Sequence, residues 1–489
     1  MTSPRFLFGE RLHRNELPIS RRRMLELSGL GLGSLAFAPL KADDGLHGKT
    51  ESPRGHDLRP KSAHFHPRAK AVILLMQNGA PSQMDLFDPK PELDKRNGQV
   101  HVEKVEMFQK GSESNKLAGT PFTFQKYGHC GMDFSDQVPH IATMADTWCM
   151  VRSMHTYHNN HTEALVIFTT GKFLHGRPTL GSWVSYALGT ENQNLPAFVV
   201  LRDPTTYNNN GTRLWENGWL PALYRGTEFD SGSGRPPVLN LQSARSHPAG
   251  VQRDFLSLLA ELNTRYLERH PHESELEARI VNYELAARMQ LEASDVADVS
   301  RETEATRRLY GLDNDQTASY GTRCLLARRL VEAGVRFVQV LQPGKQPWDS
   351  HQDTRGKISA IARQVDLPSA GLVKDLKARG LLDETLVIWG GEFGRLPVSQ
   401  NGTGRDHNRN AFTLLFAGGG FKRGFTYGAT DDFGYRAVEN RVSVSDLHAT
   451  MLHQLGLDHE ELTYPHAGRD DTLTDASVTG ATVVGDILL

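Results

Sequence analysis

The sequence predicts an α/β fold, with a mostly parallel central sheet and helices on both faces, and three observations lead there. First, continuous apolar runs recur at residues 71–77, 197–201, 336–341, 386–389 and 412–416. A run without polar alternation suits a strand covered on both faces, as strands in parallel sheets are. Second, helical patterns separate these runs, at 179–188, 256–289, 323–333, 357–379 and 444–455. Strands alternating with helices are the signature of an open α/β sheet. Third, several of the runs end in polar, chemically rich loops. In such sheets ligands bind beyond the carboxyl ends of the strands.

Composition narrows the function classes. Among 489 residues, 55 Lys+Arg meet 57 Asp+Glu, a formal net charge of −2. Without a basic excess, a general nucleic-acid binder held by phosphate contacts is excluded, and no nucleic-acid partner is expected. The 21 Phe, 6 Trp and 12 Tyr supply a real core, and three Cys do not make a disulfide scaffold. The unusual count is 21 His. Histidine ligates metals and moves protons near neutral pH, so its placement matters.

In chain order, Ser20-Arg21-Arg22-Arg23-Met24-Leu25 precedes a Gly, Leu, Ser and Ala run over 27–40. A basic start, an apolar stretch too short to span a bilayer and small residues after it describe a signal over 1–42. The Arg pair resembles the twin-arginine motif, with Met24 and Glu26 departing from its commoner residues. An uncut anchor is the alternative. The cut is open between Ala36-Phe37-Ala38, hindered by Pro39, and Leu40-Lys41-Ala42. This route implies a folded protein in the periplasm or at the cell surface. Residues 43–68 read as a polar linker. Residues 69–489 read as one α/β domain with a helical insertion at about 250–335. No later segment holds ~18 uninterrupted apolar residues, so no stable membrane span is expected after signal removal.

The strand-end loops carry the chemistry. After the first run, Asn78-Gly79-Ala80-Pro81 turns sharply, and Ser82, Asp85 and Asp88 follow as oxygen donors or turn caps. His155, His158 and His161 fall in seven residues, with Asn160 and Thr162 at the start of an apolar helix. A helix N-terminus favours bound oxyanions, and a hydroxyl in its first turn is a nucleophile if a base or metal activates it. Alternatively, Asn160 or Thr162 is an N-cap. Trp348-Asp349-Ser350-His351-Gln352-Asp353 follows the third run and has metal-ligand chemistry, or else stabilises the next helix. Gly390-Gly391-Glu392-Phe393-Gly394-Arg395 ends the fourth; Glu392 is a ligand or base, and Arg395 an anion holder. Gly404-Arg405-Asp406-His407-Asn408 repeats the theme.

In order and wording these motifs resemble a sulfatase-like family catalogued as a domain of unknown function, itself similar to the alkaline phosphatase superfamily. The resemblance runs through residues 79–91, 161–171, 283–290, 324–339, 348–353, 391–397 and 404–408, nearly the whole mature chain. It implies an alkaline phosphatase-like sheet and an ester hydrolase working beside one or two divalent metals, here zinc, calcium or manganese. Carried over by position, Thr162, or His161 less well, falls near the nucleophile. Asp85, Asp349, His351, Glu392 and His407 correspond to metal ligands. Beside these, Asn160, Arg395 and Arg405 are the candidate substrate-binding residues. Two departures stand out. No Cys lies in a Cys-x-Pro-x-Arg context, so formylglycine sulfatase chemistry is unsupported. Glu392 also replaces the expected Asp-His pair, which puts a two-metal site in doubt.

Two functions compete at this point. One is an exported metal-dependent hydrolase of phosphate or sulfate esters, acting on a small anionic ester. The other is a non-catalytic binding protein for sulfated polysaccharide or an envelope partner. An oxidoreductase is disfavoured, since no Gly-x-Gly-x-x-Gly follows the first strand.

Overall fold

The computed structural model describes residues 57–231, 238, 250–270 and 274–489. The signal-like segment 1–42 and the linker up to residue 56 lie outside the described residues. Among the described residues, nine strands form one sheet. In chain order these begin with β1 (Ala71–Met76), β2 (Cys149–His155), β3 (Phe198–Leu201) and β4 (Thr227–Phe229). They continue with β5 (Phe337–Leu341) and β6 (Thr385–Gly390). A separate hairpin, β7 (Gly394–Gln400) and β8 (Gly404–Asn408), interrupts the sheet before β9 (Phe412–Ala417). Two short strands, β10 (Phe425–Tyr427) and β11 (Val442–Ser443), complete it.

The spatial order is β10-β2-β9-β6-β1-β5-β3-β4, with β11 also pairing with β2. Every pairing is parallel except those of β9, which runs against both β6 and β2. The mostly parallel sheet expected from the apolar runs is therefore present. All six residues of β1 are buried, so both faces of the sheet centre are covered.

Strand β2 carried no signal in the sequence reading. Arg152 and Ser153 interrupt its apolar pattern, and in the fold Arg152 is compensated by Asp133 at 3.5 Å and Asp88 at 3.8 Å.

The main helices are α1 (His161–Thr170), α2 (Leu180–Leu188), α3 (Val251–Arg269) and α4 (Ser274–Ala297). They continue with α5 (Ala318–Glu332), α6 (Thr354–Ala378) and α7 (Val444–Gln454). The helical stretch expected over 256–289 is two helices, and Pro271, which cannot continue a helix interior, lies between them in sequence. Helix α5, grouped by its position with the insertion, instead packs on β5 and α6 and belongs to the sheet's own layer. Among the described residues no helix is long and apolar enough to cross a membrane.

One buried histidine predicts a pH dependence. His448 on α7 is 1% exposed and bonds the Phe168 carbonyl through Nε2 at 2.9 Å, while its Nδ1 has no partner. Burial pushes its pKa down to about 4. In the unfolded chain it titrates near 6.5. The unfolded state thus binds more protons between these values. The stability present above pH 6.5 is lost as pH falls to 4, by about 3 kcal/mol in all. Asp366, buried and raised to about 7, contributes the opposite slope. The difference between wild type and His448→Gln therefore isolates the effect. Urea midpoints between pH 8 and 4.5 should converge as pH falls, and parallel curves would contradict the assignment.

Candidate metal centre

Four segments meet where the sheet's parallel strands end. The loop after β1 supplies Gly79 and Ala80, and the start of α1 supplies His161. The loop after β5 supplies Asp349 and His351. The segment after β6 with its hairpin supplies Glu392, Arg395, Gln400 and His407. The approach is close enough to demand glycine. Gly79 has φ of +106°, and a Cβ there would lie 2.9 Å from the backbone nitrogens of both Trp348 and Asp349. Ala80 next to it also takes a positive φ, 64°, and its carbonyl accepts from Arg395 Nε at 3.1 Å. Backbone in this region is held only by its surroundings.

At the centre, three imidazoles point at one oxygen. His351 Nε2 lies 3.0 Å from Asp349 Oδ1, and the Nε2 atoms of His161 and His407 each lie 3.4 Å from it. The other ring nitrogens are committed. His407 Nδ1 bonds the Asn159 carbonyl at 2.6 Å, His161 Nδ1 bonds Glu392 Oε1 at 2.5 Å, and His351 Nδ1 bonds Gln400 Oε1 at 2.6 Å. A carbonyl or carboxylate only accepts, so each Nδ1 carries the hydrogen. In the neutral rings Nε2 then presents a lone pair. Three lone pairs converging on a carboxylate oxygen repel unless a cation or proton lies among them.

The donor set fits a divalent metal. The Nε2 atoms of His161 and His351 are buried without a hydrogen-bond partner. Ligand bonds of about 2.0–2.1 Å in a tetrahedral arrangement place donors about 3.3 Å apart, the spacing seen here around Asp349 Oδ1. His161, Asp349 and His407 form one group able to hold an ion, and His351, Asp406 and His407 another. In the second group Asp406 is spent. Its oxygens accept the N–H groups of His407, Phe108 and Gln109, each at 2.8 Å. The open side of the centre is set by Asp349 and His351, whose side chains are 21% and 18% exposed against 6% for His161 and 1% for His407.

Electrostatics support the same reading. Burial works against charge on Asp349, but the three imidazoles at its Oδ1 and the charge of Arg395 outweigh this and hold its pKa far below the usual range. Burial, with the charges of Arg395 and His161, pushes His407 down to about 3 against the pull of Asp349, so it stays neutral. His161 is also buried, but Asp349 and Glu392 overcome that and raise its pKa. A metal would have to displace that proton, as metal binding to histidine generally does.

Several expected site residues sit elsewhere. Asp85 is not in the cluster. It is fully buried and accepts from Arg405 through Nε at 2.7 Å and Nη2 at 3.1 Å, with Ser82 Oγ at 2.5 Å. A carboxylate saturated by a bidentate guanidinium and a hydroxyl is not a free ligand.

Arg405 is thereby taken from the substrate role. Arg395 is too: it is completely buried and donates to Asp349, to the carbonyls of Gly79, Ala80 and Arg405, and more weakly to that of Trp348. Glu392 stands behind His161 as the acceptor of its Nδ1–H and of the Gly79 N–H at 3.0 Å, though its Oε2 is buried and unpartnered. His161, weighed as a nucleophile, turns its Nε2 to Asp349 Oδ1 at 3.4 Å. Asn160 is the N-cap of α1, its side chain accepting from the Thr162 N–H at 3.3 Å. Thr162 follows at the second helical position, and its carbonyl accepts from Asn210 Nδ2 at 2.7 Å. No hydrogen bond ties its hydroxyl to the cluster.

Sequence reasoning missed Gln400 and the aromatic walls. Phe393 stacks on His161 at 4.7 Å and Phe108 on His407 at 4.7 Å, and neither had a chemical signature in the sequence.

The solved structures similar to this chain include the phosphonate monoester hydrolase SpPMH from Silicibacter pomeroyi. It is 14% identical, covers 71% of this chain and 72% of its own, and has a TM-score of 0.31. The PsFucS1 sulfatase from Pseudoalteromonas sp. is 12% identical over 80% of this chain and 69% of its own, with a TM-score of 0.34. An alkaline phosphatase from the Antarctic bacterium TAB5 is 12% identical over 72% and 92%, with a TM-score of 0.28. No curated protein sequence matches. A single family model spans residues 69–488, described as a protein of unknown function (DUF1501), and it is to this family that the chain belongs.

Proposed function

We propose that the protein is a metal-dependent hydrolase of phosphate or sulfate esters. The observation that carries it is the convergence of three Nε2 atoms on Asp349 Oδ1, each ring fixed through its Nδ1. Asp349, His161, His351 and His407 would hold the metal. Three imidazoles and one carboxylate suit zinc or manganese better than calcium, which prefers oxygen ligands. When bound, the metal supplies Lewis-acid polarisation of an ester oxygen. The ester class rests on the motif resemblance to sulfatase-like proteins.

The chain's own residues do the rest. Arg395 neutralises Asp349 from behind while anchoring the loop after β1. Glu392 orients His161. Phe393 and Phe108 shield the imidazoles from water. The N-terminus of α1 sets its positive dipole end beside the centre, which favours an oxyanion there, and Thr162 is the hydroxyl best placed in sequence to attack. Both arginines are sequestered, so an anionic substrate is attracted by the metal and the helix rather than by a guanidinium.

Metal-loaded protein screened against aryl phosphate and aryl sulfate esters tests the reading. Turnover that disappears on chelation and returns with zinc or manganese is expected. Thr162→Ala should abolish turnover at unchanged metal content, and full activity in that variant would remove Thr162 as nucleophile.

A second reading, non-catalytic recognition of sulfated polysaccharide, is favoured by a different feature. A cleft of about 570 Å³ between the loop after β3 and α4 is lined by Arg202, Tyr207, Trp215, Arg225, Arg279 and Tyr283. Guanidinium and aromatic groups together suit anionic sugars. Binding of a sulfated polysaccharide lost in Arg225→Glu/Arg279→Glu, without any turnover, would select it. Export completes the proposal. Recovery of the protein from the periplasm or cell surface, dependent on Arg21 and Arg22, is the check.

A further inference from the structure

We propose that Gln400 is a positioning residue that sets the tautomer of His351 and thereby the metal affinity of the centre; this rests on the metal-site reading above. Gln400 ends β7 and is 1% exposed. A buried amide can be placed either way round, but here its surroundings decide. The Lys110 carbonyl lies 2.9 Å from Gln400 Nε2. A carbonyl accepts only, so the NH2 end must face it. The Oε1 end then faces His351 Nδ1, at 2.6 Å. That oxygen accepts only, so the hydrogen of His351 sits on Nδ1. Nε2 is left as the lone pair 3.0 Å from Asp349 Oδ1.

The direction of every hydrogen in this chain follows from one backbone carbonyl. Among the described residues, no other acceptor is close enough to take over from the amide at His351. Its other Nδ1 neighbour, Asp406 Oδ1, is 3.9 Å away and already accepts the His407 N–H. Each ring has one Nδ1 acceptor: Glu392 for His161, the Asn159 carbonyl for His407 and, for His351, the Gln400 amide, the neutral side chain of the three.

The same amide joins the centre to the segment before it. Lys110 follows Phe108 and Gln109, whose N–H groups bond Asp406 Oδ2 and whose Phe108 ring lies nearly parallel to His407, at 15°. Gln400 is thus where the seating of residues 108–110 reaches a ligand nitrogen.

Three variants separate alignment from structural support. Gln400→Glu keeps an acceptor for His351 but sets a carboxylate against the Lys110 carbonyl. Gln400→Leu keeps volume and removes both bonds. Gln400→Lys offers His351 a donor. Gln400→Glu and Gln400→Leu lose the Lys110 bond, whereas the ammonium of Gln400→Lys can still donate to that carbonyl, so thermal midpoints of the metal-free proteins should fall most in the first two. Zinc affinity, measured by competition with a chromogenic chelator, should behave differently. Gln400→Glu should stay within a few-fold of wild type. Gln400→Leu and Gln400→Lys should lose roughly 10–100-fold, the usual worth of an outer partner of a metal histidine. In 15N-edited spectra of the metal-free wild type, His351 should appear protonated on Nδ1, and this signature should be lost in Gln400→Leu. Zinc affinity that follows the thermal midpoints across all three variants would overturn the proposal. Absence of zinc binding in the wild type would instead sink the metal-site reading itself.

Discussion

Asp349→Asn should empty the centre of metal while leaving the protein folded. Asp349 Oδ1 is the one atom that His161, His351, His407 and Arg395 all approach, at 3.4, 3.0, 3.4 and 2.7 Å. Asparagine keeps the shape and still offers Arg395 a carbonyl oxygen, so the anchoring of the loop after β1 survives. It removes the negative charge and the anionic ligand. Outer partners of metal ligands are alone worth 10–100-fold, so loss of the shared carboxylate should exceed roughly 100-fold in affinity. Ester turnover should fall to background with it. Elemental analysis of the purified variant beside wild type gives the answer. A stoichiometric divalent metal retained in Asp349→Asn would mean that the ion sits elsewhere.

Asp85→Asn is expected to do the reverse, costing stability and sparing the metal. Its carboxylate is 0% exposed and Arg405 is 2% exposed, so the pair is sealed from water. Breaking a buried pair from one side leaves an uncompensated charge inside and typically costs 3–5 kcal/mol. The weak contacts of Arg405 to the carbonyls of Leu396 and Gly119, at 3.3 Å each, do not replace it. An unfolding free energy lowered by about 3–5 kcal/mol, read as a lower urea midpoint at unchanged slope, is expected. Metal per folded molecule should not change. Replacing both partners by apolar residues, as Asp85→Leu/Arg405→Met, should recover much of the loss, because no charge is then stranded. If Asp85→Asn instead lost the metal at full stability, its assignment as a structural partner would fail.

These two carboxylates show what was legible beforehand. Both follow a buried strand, both lie in a polar loop, and the motif resemblance placed both among the ligands. Their fates differ because Arg405, 320 positions away from Asp85, folds onto one of them. Nothing local in the chain encodes that pairing. Local signals served where the chemistry is local: Asp349 and His351 are two residues apart, and His407 follows a strand-end glycine motif. The sheet was legible for the same reason, since runs such as residues 71–77 and 386–389 are apolar throughout. Strand β2 was not, because Arg152 breaks its pattern and its compensation by Asp88 and Asp133 is tertiary. Gln400 was invisible for a plainer reason. A neutral amide has no charge, no acid–base chemistry and no preferred motif, and it acquires its role only from the Lys110 carbonyl.

The hairpin β7–β8 is spliced between β6 and the reversed β9, and the residues that converge at the centre come from positions 161, 349, 351 and 407. No contiguous stretch of the chain therefore holds more than a fragment of the centre. During synthesis the site cannot exist until nearly all of the polypeptide has emerged, and its closure waits on contacts of long sequence separation, which form slowly. A prematurely terminated product lacking the hairpin would also lack β9, which joins β2 to the rest of the sheet, and would carry neither His407 nor the Gln400 amide. Any ligand held at this centre would then report completeness: only a finished chain could gain the extra stability that a tightly held ligand confers on the folded state.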